Sequence, residues 1–290
     1  MRPAPFEYVQ PRSIAELRSV MESDDGSAKV LAGGQSLVPM MNFRMASPTR
    51  LIDINAITEL DYIKADGNTI RIGALARHNH ILESTLVRER CGLLAQAYGH
   101  VAHHTVRNRG TLAGNSCHAD PASEMPAVLL TLDAIFHVDG ANPRPVAASD
   151  FFLGMYTTAV GSNEYLREIE IPMLTAGRRG HFDEISMRQG DFAICGVAAV
   201  VTVRNGMCSD ARIAYCGIAE HQFRLTEAER WLEGRNASAA TALACADLAA
   251  SSVQPGGDVK ASSEYRRHLV RVMTARVLES VFNENGLERT

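Results

Sequence analysis

Two glycine-containing loops rich in hydrogen-bond donors constrain this chain more than any other feature of its sequence. The first, Ala32-Gly33-Gly34-Gln35-Ser36, follows the apolar strand predicted at Lys29–Ala32. The second, Arg109-Gly-Thr-Leu-Ala-Gly114-Asn115, shortly precedes a helix predicted to open at Asp120-Pro121. Glycines allow positive φ and let backbone N–H groups converge on an anion without interference from a Cβ atom. Together the loops predict a site for a long ligand with a central diphosphate, held from both sides.

Each loop alone also fits a simpler role. A lone pair of glycines is typical of a tight turn, and Asp120 fits a helix cap. Neither loop contains G-x-G-x-x-G or G-x-x-x-x-G-K-[ST], so a Rossmann dinucleotide site and a P-loop are both disfavoured. The helix end near the second loop would add partial positive charge, which suits a pyrophosphate.

Length, composition and charge narrow the class of protein. The 290 residues suffice for two domains, and 46% apolar with 21% charged residues is typical of a globular chain. A net charge of −4 leaves no broad basic field for nucleic acid. We expect no integral membrane segment, since no apolar run reaches roughly 18 residues. The N-terminus lacks the pattern of a signal peptide, so a cytoplasmic location is expected.

Hydrophobic periodicity and turn residues predict an α+β chain. Ser13 and Glu16 form a capping box that predicts a first helix. Strands are predicted at 29–32, 50–54, 69–73, 134–138, 164–171, 181–188, 196–204 and 210–218, with a hairpin turn at Asn205-Gly206. Helices are predicted at 78–90, 92–102, 120–132 and near the C-terminus, and 105–119 has no clear period. A boundary is predicted near 175–180.

Three strings make the sequence resemble a known family: AGGQSL at 32–37, VRNRGTLAGNSCHADPASEMP at 106–126 and RQGDFAI at 188–194. They resemble the flavin-binding medium subunits of the xanthine dehydrogenase and carbon monoxide dehydrogenase family, and the resemblance covers nearly the whole chain. It implies an α+β fold with a two-lobed FAD-binding domain of the vanillyl-alcohol-oxidase-like (PCMH) type at 1–176. The subdomains would span about 1–56 and 57–176, and a smaller α/β C-terminal domain would span 177–290.

The resemblance also implies a cofactor, FAD, and the residues that bind it. The two loops would lie on either side of the diphosphate, Ser123 and Glu124 would reach the adenosine half, and Leu166 would contact the ring system. The implied set is Leu31, Ala32, Gly33, Gly34, Gln35, Ser36, Leu37, Gly110, Thr111, Ala113, Gly114, Asn115, Ser123, Glu124 and Leu166. This chain departs from many relatives at Ala113, where they have glycine, and at Asp183-Glu184, where they have a lysine nearby.

By the same resemblance the chain is an oxidoreductase subunit that carries electrons. A large molybdenum-cofactor subunit and a small 2Fe–2S subunit would be its partners, forming a dimer of heterotrimers. The six cysteines include no C-x-x-C pair, so the iron–sulfur clusters are expected in a partner. The flavin would do the chemistry, and no catalytic acid or base is expected in this chain.

Other functions stay open as alternatives. His100 and His104 could bind zinc if one helix carried both, yet no third ligand is suitably spaced, and a metal site is disfavoured. No G-x-S-x-G elbow supports a serine hydrolase. A stand-alone FAD oxidase or dehydrogenase would need a substrate domain for which the chain has no extra length. A flavin-free assembly subunit is disfavoured by the intact Gly33-Gly34 and Gly114-Asn115.

Overall fold

Short helices and strands alternate up to residue 172, whereas longer elements dominate the remainder. The computed structural model describes residues 2–283, so residues 1 and 284–290 of the predicted domains lie outside the described residues. The helices are α1 (Ile14–Glu22), α2 (Leu37–Asn42), α3 (His78–Glu83), α4 (Thr85–Arg90), α5 (Gly92–Ala97), α6 (His104–Arg107), α7 (Leu112–His118), α8 (Glu124–Thr131), α9 (Ala148–Phe151), α10 (Thr226–Leu232), α11 (Ala239–Ser252) and α12 (Ser263–Phe282).

The strands are β1 (Glu7–Val9), β2 (Ala28–Leu31), β3 (Arg50–Asp53), β4 (Ile63–Asp66), β5 (Thr69–Gly73), β6 (Ile135–Gly140), β7 (Arg144–Ala147), β8 (Phe152–Gly154), β9 (Thr157–Thr158), β10 (Glu164–Pro172), β11 (Arg178–Ser186), β12 (Ala193–Arg204), β13 (Met207–Cys216) and β14 (Phe223–Arg224). The described residues also contain one 3-10 helix, Thr58–Leu60. This mixture of helices and strands confirms the predicted α+β composition.

The chain forms two compact units that are not continuous in sequence. The first comprises the residues up to Leu86, together with His103–Ala119 and Ala134–Pro172. The second comprises Val87–Ala102, Asp120–Asp133 and the residues from Met173 onward. The domain boundary predicted between residues 176 and 177 stays a prediction, because the two units are defined by contacts between residues and each draws on several segments of the chain.

A small parallel sheet in the first unit carries the first glycine loop. Its strand order is β1-β3-β2, with Leu31 opposite Asp53. The apolar residues Leu51 and Ile52 of β3 are buried. The predicted capping box begins α1: Ser13 Oγ accepts from the Glu16 amide at 3.2 Å. Because parallel strands end at one edge, the residues that follow β2 and β3 emerge side by side.

The larger sheet of the first unit is antiparallel, with the order β4-β5-β10-β6-β7. Strand β5 matches the predicted bounds of 69–73. On β6, the ring of Phe136 stacks on Phe151 with centroids 3.8 Å apart. Leu166, predicted to touch the flavin ring, lies within β10 opposite Val138 and is buried.

The second unit is built on the antiparallel sheet β11-β12-β13-β14. Asn205 and Gly206 have φ of 50° and 74°, so they form the predicted hairpin turn between β12 and β13. Helix α12 buries an apolar face that includes Met273 and Val277 in the core shared with this sheet. The predicted C-terminal helix is therefore part of the hydrophobic core.

The helix predicted to open at Asp120-Pro121 begins later, and that prediction is wrong. Helix α8 begins at Glu124, with Ser123 in the N-cap position. The Asp120 carboxylate instead accepts from the Ala122 amide at 2.9 Å, and the Ser123 amide donates to the Asp120 carbonyl at 3.0 Å. An aspartate can stabilise a turn as readily as a helix start, and here it stabilises the turn.

Other helix bounds also differ from the predictions. The segments 78–90 and 92–102 contain the short helices α3, α4 and α5, and α5 ends at Ala97. The segment 105–119, predicted to be irregular, overlaps α6 and contains α7. His100 and His104 therefore do not share a helix, because α6 begins at His104. Within residues 2–283, no helix is long and apolar enough to cross a membrane.

Replacing Ser262 with alanine is expected to lower the free energy of unfolding by about 1 kcal/mol, because the hydroxyl caps a buried helix. Its Oγ accepts from the Tyr265 amide at 3.1 Å at the start of α12. Chemical denaturation measures the loss. Ser280→Ala is the matched control, since the Ser280 hydroxyl only donates to the Arg276 carbonyl inside the same helix. Equal losses in the two variants would contradict the capping role.

Candidate functional site

The first glycine loop leaves the end of β2 and enters helix α2. Gly34 has φ of +71°, which glycine adopts at little cost. A Cβ atom on Gly33 would overlap with the Arg109 carbonyl oxygen and lie 2.7 Å from Gly110 Cα. Only glycine at position 33 therefore allows the first loop to contact the backbone of the second. The structure thus brings the two predicted loops together.

The second loop passes directly into helix α7. Thr111 is the N-cap residue, and its Oγ1 accepts from the Gly114 amide at 3.0 Å. Thr111 and Ala113 are buried, as is Leu112 between them. The Gly110 carbonyl accepts from the His78 amide at 3.0 Å. The Gly114 amide is therefore occupied within the protein, and the part of this loop nearest the first loop is Arg109-Gly110.

A cleft of about 540 Å³ opens beside the contact between the loops. This volume lies within the range of about 300 to 1,000 Å³ that is usual for ligand sites. Of the residues predicted from sequence, those at the end of β2 and in the first loop line it: Leu31, Ala32, Gly33, Gly34 and Gln35. Its other lining residues are Val38, Pro39, Asp53, Asn55, Arg77 and Arg109.

Asp53 and Asn55 are functional candidates that sequence analysis missed. The Asn55 side-chain amide donates to the Ala32 carbonyl at 2.8 Å, which fixes the start of the first loop. The buried Asp53 carboxylate accepts from the same amide group at 2.6 Å and from the Asn55 backbone amide at 2.9 Å. A sequence pattern could have revealed them, because Asp53 ends β3, a strand parallel to β2, and Asn55 lies just beyond it.

Arg77 and Arg109 give the cleft its positive charge. The Arg77 guanidinium donates to the Arg109 carbonyl and to Asn55 Oδ1, both at 2.6 Å. Burial lowers the pKa of Arg77, but an arginine remains charged at neutral pH. Tyr8 and Gln10 both donate to the single carboxylate that lines the cleft, Asp53. The arrangement therefore favours an anionic ligand.

Ser123 and Glu124 belong to the second unit. Both are buried, and the Ser123 carbonyl accepts from Gln222 Nε2 at 3.2 Å. Burial raises the pKa of Glu124 to about 7. Their predicted role at the adenosine half of FAD stays a prediction.

The acidic pair Asp183-Glu184 lies on β11 of the second unit, and its two members differ. Asp183 accepts from Arg276 at 3.2 Å. The Glu184 side chain is only 3% exposed, and its Oε2 has no hydrogen-bond partner among residues 2–283. Burial and the nearby Glu124 raise the pKa of Glu184 to about 9. Glu184 is therefore mainly protonated at neutral pH.

Comparison with known proteins agrees with this geometry. Residues 4–174 match the FAD binding domain in molybdopterin dehydrogenase, and residues 180–281 match the CO dehydrogenase flavoprotein C-terminal domain. The chain is 36% identical to the 6-hydroxypseudooxynicotine dehydrogenase complex subunit alpha of Paenarthrobacter nicotinovorans, over 96% of this chain and 95% of that one. It is 35% identical to the carbon monoxide dehydrogenase medium chain of Hydrogenophaga pseudoflava, over 97% and 99%.

A solved structure is similar over almost the whole length. The carbon monoxide dehydrogenase of Hydrogenophaga pseudoflava that lacks the Mo-pyranopterin moiety of the molybdenum cofactor has a chain with a TM-score of 0.94 and 36% identity. The match covers 97% of this chain and 99% of that one. The glycine loops, the cationic cleft and these matches agree, so the chain belongs to the family of FAD-binding medium subunits of the xanthine dehydrogenase and carbon monoxide dehydrogenase type, and it is an oxidoreductase subunit with FAD as its cofactor.

Proposed function

We propose that the cleft beside Gly33 and Arg109 holds the diphosphate of FAD. The observation that carries this proposal is the direct backbone contact between the two loops, at a position where no Cβ atom fits. Two arginines line the same cleft, and a diphosphate needs both close backbone approach and positive charge. This proposal includes the contacts with FAD that were predicted for Ser123, Glu124, Leu166 and the loop Thr111–Asn115.

Several residues that line the cleft support the binding of a diphosphate. Gly33 lets the two loops meet and Gly34 adopts positive φ, while Asn55 and Arg77 hold the loop ends in place. Val38 and Pro39, at the start of α2, add apolar surface beside the polar loop. The chemistry that FAD supplies when bound is electron transfer between a one-electron donor and an external acceptor.

We also propose that the chain works as the electron-transfer subunit of a larger complex. Its partners would be a large molybdenum-cofactor subunit and a small 2Fe–2S subunit, in a dimer of heterotrimers. The names of its relatives support this, because one is a subunit of a dehydrogenase complex and another is a medium chain. The vanillyl-alcohol-oxidase-like form of the domain at 1–176, and a C-terminal domain at 177–290, belong to the same proposal.

The purified chain is expected to bind one FAD that acid releases, and Gly34→Ala is expected to weaken binding about tenfold, because alanine resists positive φ. Its Cβ would also lie 3.1 Å from Leu31 Cδ1 and 3.2 Å from Val38 Cγ2, both in the cleft. The absorbance spectrum and a titration with FAD measure both results.

Gly67→Ala is the matched control for this experiment. Gly67 also has positive φ, of +57°, but an added Cβ would meet nothing within 4 Å. It should therefore bear similar backbone strain and keep wild-type affinity. A folded wild-type chain that fails to bind FAD would favour a flavin-free assembly role, and turnover of small alcohols or amines by the chain alone would favour a stand-alone oxidase.

A further inference from the structure

One arginine links the two glycine loops of the first unit. Arg77 directly precedes α3, and its backbone pairs with Thr111 in an isolated β-bridge. Its guanidinium donates from Nη1 to the Arg109 carbonyl, in the second loop, at 2.6 Å. From Nη2 it donates to Asn55 Oδ1, also at 2.6 Å. A planar guanidinium holds two such acceptors in a fixed geometry, which a lysine cannot reproduce.

Asn55 extends this link to the first loop. Its side-chain amide donates to the Ala32 carbonyl at 2.8 Å, and the buried Asp53 carboxylate fixes its orientation. A continuous chain of hydrogen bonds therefore runs from Ala32 through Asn55 and Arg77 to Arg109. It joins the two backbone segments that meet at Gly33.

Arg77 keeps its positive charge at the cleft while it makes these contacts. Both of its acceptors are uncharged, a carbonyl and an amide oxygen, so neither neutralises the guanidinium. Arg109, which also lines the cleft, adds a second positive charge. The acidic residues whose charges act on Arg77 are Asp61 and the lining residue Asp53, and Tyr8 and Gln10 already donate to Asp53. Because the hydrogen-bond acceptors of Arg77 are uncharged, its positive charge can still attract an anionic ligand in the cleft.

We infer that Arg77 sets the spacing of the two glycine loops through Asn55 and also supplies the positive charge that attracts the diphosphate. This inference rests on the proposed function, and it assigns two separable roles to one side chain. The positioning role depends on the two hydrogen bonds. The electrostatic role depends on the charge alone and therefore weakens as salt increases.

Three single variants and one double variant separate these roles when FAD affinity is measured at low and high salt. Arg77→Met removes the charge and both hydrogen bonds, and it should lower FAD affinity by at least about tenfold, with a smaller dependence on salt. Arg77→Lys keeps the charge and should retain the wild-type salt dependence with weaker binding. Asn55→Ala breaks the link to Ala32 and should weaken binding without changing the salt dependence. Asn55→Ala and Arg77→Met combined should lose less than the sum of the two effects.

Lys64→Met is the control for net charge, since Lys64 is exposed on β4 and lines no part of the cleft. It should leave both affinity and salt dependence unchanged. If the wild-type chain binds no FAD, the proposed function itself fails. If the wild type binds FAD and Arg77→Met binds it equally tightly, with the same salt dependence, the inference is overturned. Equal losses in Arg77→Lys and Arg77→Met, both with wild-type salt dependence, would overturn the electrostatic role.

Discussion

Replacing Gly33 with alanine is expected to lower FAD affinity by about a hundredfold, because the strain of about 3 kcal/mol from overpacking falls on the loop contact that shapes the cleft. The added Cβ would overlap with the Arg109 carbonyl oxygen and approach Gly110 Cα to 2.7 Å. Both atoms belong to the backbone, so a rotamer change cannot relieve the overlap. The loops must separate, and the site for the diphosphate widens. Titration of the purified chain with FAD measures the change.

The control for this variant is Gly92→Ala, at the start of α5. An added Cβ there would meet nothing within 4 Å, and the position has no positive φ. Its FAD affinity should match that of the wild type, and its thermal unfolding temperature should be no lower. Gly33→Ala with wild-type affinity would show that contact between the loops is unnecessary for binding, and the proposed place of the diphosphate would be wrong.

Glu184→Gln is expected to stabilise the chain at pH 7 by about 3 kcal/mol, because burial of this carboxyl raises its pKa from an ordinary value near 4.5 to about 9. Between these two values the folded chain holds a proton that the unfolded chain has released. The contribution of Glu184 to wild-type stability therefore falls as pH rises from about 4.5 to about 9, and it is largest at the acidic end of this range. Glutamine is neutral throughout, so the variant lacks this contribution to the slope.

The acidic neighbours of Glu184 contribute in the same direction. Glu124 on α8 and the adjacent Asp183 both disfavour its ionised form, and His100 Nδ1 lies 3.8 Å from Oε1. Burial lowers the pKa of His100, so this imidazole offers little positive charge at neutral pH. Denaturation of the variant and the wild type across this pH range tests the prediction. Glu220→Gln, an exposed position, is the control, and parallel curves for Glu184→Gln and the wild type would refute the prediction.

Local sequence patterns predicted the structure correctly where one residue type satisfies one local requirement. The Ser13 cap, the turn at Asn205-Gly206 and strand β5 needed only short-range chemistry, and the structure has all three. The start of α8 was misplaced because Asp120 suits a helix cap and a turn equally well. Competing local preferences of this kind are decided by tertiary contacts, here by Gln222, whose Nε2 donates to the Asp120 carbonyl at 2.5 Å and to the Ser123 carbonyl at 3.2 Å.

The candidate site was predictable in part. The glycines of the first loop line the cleft as their spacing suggested, but Asn55 and Arg77 were not identified. Nothing local distinguishes Arg77 from the many other arginines, since its role depends on Asn55 and Arg109, which are distant in sequence. The burial of Glu184 could not be predicted from the sequence either, because it results from packing within the second unit. Long-range contacts decide what these charged residues do.

The discontinuous second unit has a consequence for synthesis of the chain on the ribosome. Helix α8 is buried along its whole length, and it belongs to the unit that also contains the residues from Met173 onward. When α8 has been made, the strands β12 and β13 that it packs against have not been translated. Until these strands are translated, the apolar surface of α8 is exposed or covered by a chaperone. Non-local contacts of this kind slow folding, so the nascent chain is most prone to aggregation before the C-terminal sheet is complete.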